Sequence, residues 1–279
     1  MEALTLGLLA ALAWGLHDLL VRRISHGPNV LGQILTVMVV GALVLTALAL
    51  RDTAGLSAAA AVCAALAGVS YVVASIGLYR AFGLAPARVV SPVLAAYPLL
   101  SLLIAAAQGE PVTLSDWAAV TMVVAGVALV AALADGAAQG AGSVRVALLW
   151  AGLGAAGFAA TFALGQAASL GHASLAAGAV TRVVAMICTA GLILWQRPSM
   201  QPVRSHWRLL LLMGLLDTGA LGLVMLAGGM DHAEYAAVAA SLFGVVTIVL
   251  AWRFLGETVR PAQWLGIGLV FAGIAALAV

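Results

Sequence analysis

Almost the whole chain reads as apolar stretches of about 20 residues, the length a membrane-crossing helix needs, broken at Gly, Pro and charged clusters. These breaks predict ten helical spans: 3–21, 30–50, 57–79, 86–107 and 115–134, then 145–165, 173–195, 207–228, 233–254 and 262–278. The Gly- and Ala-rich segment 135–144 separates a first five-span half, 1–134, from a second, 145–279. The expected fold is an all-α polytopic membrane protein.

The two halves share a signature. Gly109-Glu110, Trp117 and Gly126 recur as Gly256-Glu257, Trp264 and Gly273, every pair 147 positions apart. Val112/Val259, Val123/Val270, Ala125/Ala272 and Ala128/Ala275 fall on the same register without a gap. An odd number of spans per half means that the second half enters the membrane upside down relative to the first. The expectation is therefore two inverted five-helix repeats, with a substrate site between them near the bilayer midplane.

Composition agrees with a lipid solvent: 65% of residues are hydrophobic and 8% charged, and mean hydropathy is +1.17. The start, Met1-Glu2-Ala3-Leu4, lacks a basic leader region, so the stretch that follows reads as the first span and not as a cleaved signal. Cys63 and Cys188 sit in apolar runs without metal or redox spacing. All basic residues are arginines. Ten of the twelve (Arg22, Arg23, Arg80, Arg88, Arg145, Arg197, Arg204, Arg208, Arg253 and Arg260) fall on the odd-numbered connections, and only Arg51 on an even one. By the positive-inside rule the odd connections are cytoplasmic and both termini periplasmic or extracellular, in a bacterial-type inner (plasma) membrane. Six of the seven tryptophans, all but Trp14, lie near predicted helix ends, where amphipathic rings are favoured.

With the five-plus-five repeat, the Gly-Glu, Trp and Gly register, and the proline-containing fourth span Ala85-Pro86-Ala87-Arg88-Val89-Val90-Ser91-Pro92-Val93, the chain resembles the drug/metabolite transporter superfamily in its ten-helix EamA-like branch. The likeness covers essentially the whole chain. It implies a carrier of small organic solutes, with export the expected direction, and does not specify which solute. The ninth span departs from the fourth: it has Ala239 in place of Pro92 and opens with Asp231-His232-Ala233-Glu234.

Charges inside spans are costly unless paired or hydrated, which makes them candidates for substrate contact or proton relay. Arg182 and Asp217 lie at similar depth in adjacent antiparallel spans and can meet. One reading makes them an anion anchor and its gate or proton partner; the other makes them a permanent structural ion pair. Asp18 reads as an i, i+4 partner of Arg22, and His17 as a solvated residue near a helix end. Trp14 reads as packing first and as cavity wall second. Tyr71, Ser91, Tyr97, Gln166 and Ser241 are candidate lining residues. Pro98, which follows Tyr97, permits a gating kink, and Glu234 is a second gate candidate beside its reading as an ordinary helix start.

No Gly-x-Ser-x-Gly elbow, His-Glu-x-x-His helix or Walker A loop is present, so neither hydrolysis nor ATP-driven pumping has residues to carry it. No cofactor, metal or nucleic-acid partner is expected. The partners are a small-molecule substrate and the lipid bilayer, with the substrate's own gradient or proton coupling as the energy source. The favoured function is secondary transport by alternating access; the rivals are a passive channel or facilitator, then a membrane-embedded enzyme acting on lipid.

Overall fold

The computed structural model describes residues 2–26, 29–50, 55–107, 113–133, 141–169, 174–227 and 239–276. The described residues form helices and connections, without a strand. The helices are α1 (Glu2–Ile24), α2 (Leu31–Ala49), α3 (Ala58–Leu84), α4 (Ala87–Ala95), α5 (Tyr97–Ala107), α6 (Leu114–Ala132), α7 (Ala141–Ser169), α8 (Ser174–Gln196), α9 (Gln201–Ala227), α10 (Phe243–Leu255) and α11 (Pro261–Ala276). Seven of them are long and apolar enough to cross a membrane, and three shorter apolar segments, 87–100, 239–255 and 261–276, lie among them.

Local chemistry sets several boundaries. The Ser57 side chain caps α3 through the Ala60 amide, and Thr113 and Asp116 form a reciprocal capping box at the start of α6. Gly256 ends α10 in the left-handed region, φ 68°, where a side chain would be strained, and Pro261 opens α11. In α9 the backbone leaves helical geometry at His206, so the long helix begins in effect at Trp207.

The fourth span is two helices. Ala96 breaks it with short turns, its amide bonding the Val93 carbonyl and its own carbonyl accepting from Leu99. The cause is Pro98, which has no amide for the carbonyl of residue 94 and crowds it. The ninth span breaks at almost the corresponding place, Leu242, whose amide bonds the Ala239 carbonyl. No proline stands there to announce the break in the sequence.

Packing follows a rule of exchange. If α1 is swapped with α7, α2 with α8, α3 with α9, α4–α5 with α10, and α6 with α11, the principal contacts map onto one another. The α3–α7 contact becomes α9–α1, α2–α9 becomes α8–α3, and α1–α10 becomes α7–α4, all of them present; α2–α8, α6–α11 and α4–α10 map onto themselves. The rule reaches single residues. A Cβ on Gly126 would meet the Gly266 carbonyl and Val270, and one on Gly273 would meet the Ala119 carbonyl and Val123, which are the same positions displaced by the repeat. Small residues let these backbones approach where lipid supplies no hydrophobic drive between helices. Of the glycine pairs Gly152-x-Gly154 and Gly266-x-Gly268, only Gly154 and Gly266 lie against a neighbour, because residues two apart cannot share a helix face.

The interior is correspondingly built of small residues, with Ala10, Ala64, Ala74, Ala147 and Ala151 fully buried, while Leu43, Leu149 and Leu265 are exposed. Trp117, Trp195, Trp207 and Trp252 are more than half exposed. The outside is apolar, as a lipid-facing surface must be.

Connections one, three, five, seven and nine gather at one end. Arg22 reaches the Phe82 carbonyl and Glu257, Gly32 lies against Met200 and Val203, and Gln263 donates to the Leu133 carbonyl. The arginines that the sequence assigned to odd connections therefore share one end of the molecule.

Candidate functional site

A cavity of about 840 Å³ lies between α1, α2, α3, α7, α8 and α9, with Tyr97 and Phe243 at its side. Helical spacing supplies its walls. Trp14, His17 and Asp18 project from one face of α1, Tyr71, Ser75 and Tyr79 from one face of α3, and Phe158, Phe162 and Gln166 from one face of α7. Aromatic rings pack into a box. Trp14 meets Phe162 and Phe243 edge-on, Tyr71 meets Phe158, and Tyr97 tilts over Phe162 at 5.0 Å.

Asp217 is the polar centre. Its Oδ2 accepts from Arg182 Nη1 at 2.6 Å and from the Tyr71 hydroxyl at 2.7 Å, and its Oδ1 accepts from Trp14 Nε1 at 3.1 Å. The Arg182 guanidinium lies 4.2 Å from the centre of the Tyr71 ring. Both charged side chains are almost fully buried. Gly41 of α2 makes room for them: a Cβ there would lie 3.2 Å from Arg182 Cδ and 3.1 Å from the Thr218 hydroxyl. A buried pair whose carboxylate accepts three donors is held in one geometry, and loss of either partner would strand a charge.

Of the expected site residues, Arg182, Asp217, Tyr97, Tyr71, Trp14 and Gln166 line the cavity. Ser91 and Ser241 are buried but off it; the Ser91 carbonyl lies where α4 crosses α10, near Gly244. Pro98 stands two residues past the Ala96 break. Glu234, with Asp231 and His232, lies outside the described residues.

Two expectations about α1 are corrected. Asp18 does not pair with Arg22 and His17 is not solvated. His17 Nδ1 lies 2.9 Å from Asp18 Oδ1, and both residues are buried on the cavity wall. Arg22 instead bonds Glu257 at 2.7 Å because α1 presents it to the α10–α11 connection. Arg22 is near Asp18 along α1, but the carboxylate that competes for it lies 235 residues away in sequence. The i, i+4 spacing of Trp14 and Asp18 was the available clue that Asp18 shares the cavity face. Phe158, Phe162 and Phe243 were also missed, since phenylalanine in an apolar span carries no signal of its own.

Glu257, from the repeated Gly-Glu motif, joins three elements at the arginine-rich end. Its Oε1 accepts from Arg22 Nε, its Oε2 accepts from the Ala87 amide at 2.8 Å at the start of α4, and Arg22 Nη1 donates to the Phe82 carbonyl at the end of α3. The cavity extends the other way, to Ser169, Ser174 and Val224 at the ends of α7, α8 and α9.

A bundle of apolar-surfaced helices around a buried, charged, aromatic-lined cavity defines a multi-pass membrane protein with an internal cavity. The comparisons give it a family: the EamA-like transporter family matches residues 1–132 and 145–279, and the chain belongs to it, within the drug/metabolite transporter superfamily. Members are membrane transporters of small solutes. A crystal structure whose description names no function superposes with a TM-score of 0.65 at 20% identity, covering 98% of this chain and 95% of that one, and so shares its fold. No curated protein matches the sequence.

Proposed function

We propose that this protein is a secondary transporter that carries a small organic solute across the inner membrane by alternating access between two inverted five-helix repeats, 1–134 and 145–279, joined by the linker 135–144. The observation that carries the reading is the cavity itself, which runs to the ends of α7, α8 and α9, while the Arg22–Glu257–Ala87 tie lies at the other end of the bundle. The exchange of helix contacts between halves supports a pseudo-two-fold relation, and an interface of that kind is where alternating access places its site. The fourth and ninth spans, broken at Ala96 and Leu242, supply the discontinuous helices expected there.

With the arginine-rich end in the cytoplasm, the cavity faces outward. Its aromatic walls suit an amphipathic solute with an apolar body, and Arg182 suits a carboxylate or phosphate group that displaces Asp217. Ten spans, export and proton coupling complete the reading. Thermal-shift screening of the purified protein against a metabolite library identifies a ligand through stabilisation of the folded state. Counterflow in proteoliposomes then tests transport: a carrier accelerates labelled uptake when unlabelled ligand is inside, whereas a passive channel gives no such acceleration and would overturn the proposal.

A further inference from the structure

One wall of the cavity holds a polar group that the Arg182–Asp217 pair does not use. His17 and Asp18 are 6% and 2% exposed, and Tyr79, whose ring meets His17 edge-on, is 2% exposed. His17 Nδ1 and Asp18 Oδ1 bond each other. The remaining polar atoms, His17 Nε2, Asp18 Oδ2 and the Tyr79 hydroxyl, are buried and have no hydrogen-bond partner among the described residues. Buried polar atoms are nearly always satisfied, so three unpartnered ones on residues lining one cavity mark polar groups open to what the cavity admits.

Charge identifies the ligand. When His17 donates from Nδ1 to an ionised Asp18, Nε2 and Oδ2 are both vacant acceptors and the dyad carries one negative charge. The surrounding helices do not offset it. On the cavity wall α3 brings Tyr71 and Tyr79, α2 brings Ile34, Val37 and Met38, and α10 brings Phe243. α9 brings Asp217, another anion, whose partner Arg182 on α8 is already matched. Arg22, on the next turn of α1, is committed to Glu257 and the Phe82 carbonyl. With Asp18 ionised, the cavity is one positive charge short of neutrality, and an uncompensated charge in a low-dielectric space is costly.

We propose that the His17–Asp18 dyad is the proton-binding site that couples this transporter to a proton gradient. The inference rests on the transport reading above. A proton entering from the open end forms an N–H bond at His17 Nε2, turning a negative dyad into a neutral imidazolium–carboxylate pair. Release toward the arginine-rich end breaks the same bond and restores the negative charge. The dyad lies on the helix whose next turn holds the Arg22–Glu257 tie, so its change of charge acts on the element that must move for the cavity to open inward.

The test begins on the full-length protein labelled with ¹⁵N in its histidine rings, the His17 signals being those lost in His17→Gln. The expected ring carries its proton on Nδ1 alone at high pH and gains a second at Nε2 as the proton concentration rises. Asp18→Asn should alter that response, because the carboxylate that faces Nδ1 is gone. A ring that stays neutral throughout, or one indifferent to Asp18→Asn, overturns the site. In proteoliposomes with the ligand found by thermal shift, the ratio of proton-gradient-driven uptake to counterflow should fall to about one in both His17→Gln and Asp18→Asn; an undiminished ratio in either folded variant overturns the coupling. Absence of counterflow in the unaltered protein would defeat the transport reading, and the coupling with it, while the titration would still decide whether the dyad binds a proton.

Discussion

At the residue scale, the structural role of the Arg182–Asp217 pair and its proposed role in solute binding can be separated. Arg182 has Leu35 as its counterpart in the first half, and Asp217 has Ser70, so packing at these positions does not itself require charge. Arg182→Gln or Asp217→Asn alone leaves a buried charge unpaired and should destabilise the protein by about 3 to 5 kcal/mol. The double variant should recover most of that loss yet remain without transport, since neutral side chains cannot anchor an anion. Thermal denaturation and counterflow measured on all three proteins check this, and a double variant that transports normally would reduce the pair to structure. Tyr71→Phe removes one charge-assisted donor from Asp217 and should cost about 1.5 to 3 kcal/mol, readable as a lowered Tm.

At the element scale, close helix contacts and the Glu257 tie make separate demands. A Cβ on Gly77 would lie 2.5 Å from the Gly154 amide nitrogen, and one on Gly152 would meet nothing within 4 Å. Gly77→Val should therefore force α3 from α7 and destabilise by about 1 to 3 kcal/mol or more, whereas Gly152→Val should be close to neutral; denaturation midpoints of the two variants decide it. Glu257→Gln weakens the link between α1, α4 and the α10–α11 connection. It should raise labelling of a cysteine placed at Met38 on the cavity wall by impermeant reagents applied to the arginine-rich face, in a background where Cys63 and Cys188 are serine. Unchanged labelling would show that the tie does not restrain opening.

At the scale of the whole molecule, the testable property is direction in the membrane. The odd connections lie together at one end and carry most of the arginine. Positive-inside orientation then puts the C-terminus outside. An alkaline phosphatase fusion there should be active and a green fluorescent protein fusion dark. The reverse pair of results would invert the topology, and the cavity would then face the cytoplasm.

The sequence by itself determined the medium and the repeat, because both are written in features that survive along the chain: apolar runs of spanning length, small residues where helices touch, and a Gly-Glu, Trp and Gly register. It also located Arg182 and Asp217, because a charge in an apolar span is conspicuous whatever surrounds it. The break at Ala96 was legible through Pro98, but the break at Leu242 was not, since no proline imposes it. Tertiary structure alone decided partnership. Asp18 has Arg22 four residues away, yet the fold turns that arginine to Glu257 and leaves Asp18 with His17 on the cavity wall. Trp14 became a hydrogen-bond donor to a carboxylate 203 residues away. Neighbours in sequence compete for partners with residues that only packing brings close, and in a low-dielectric interior the best-oriented partner wins.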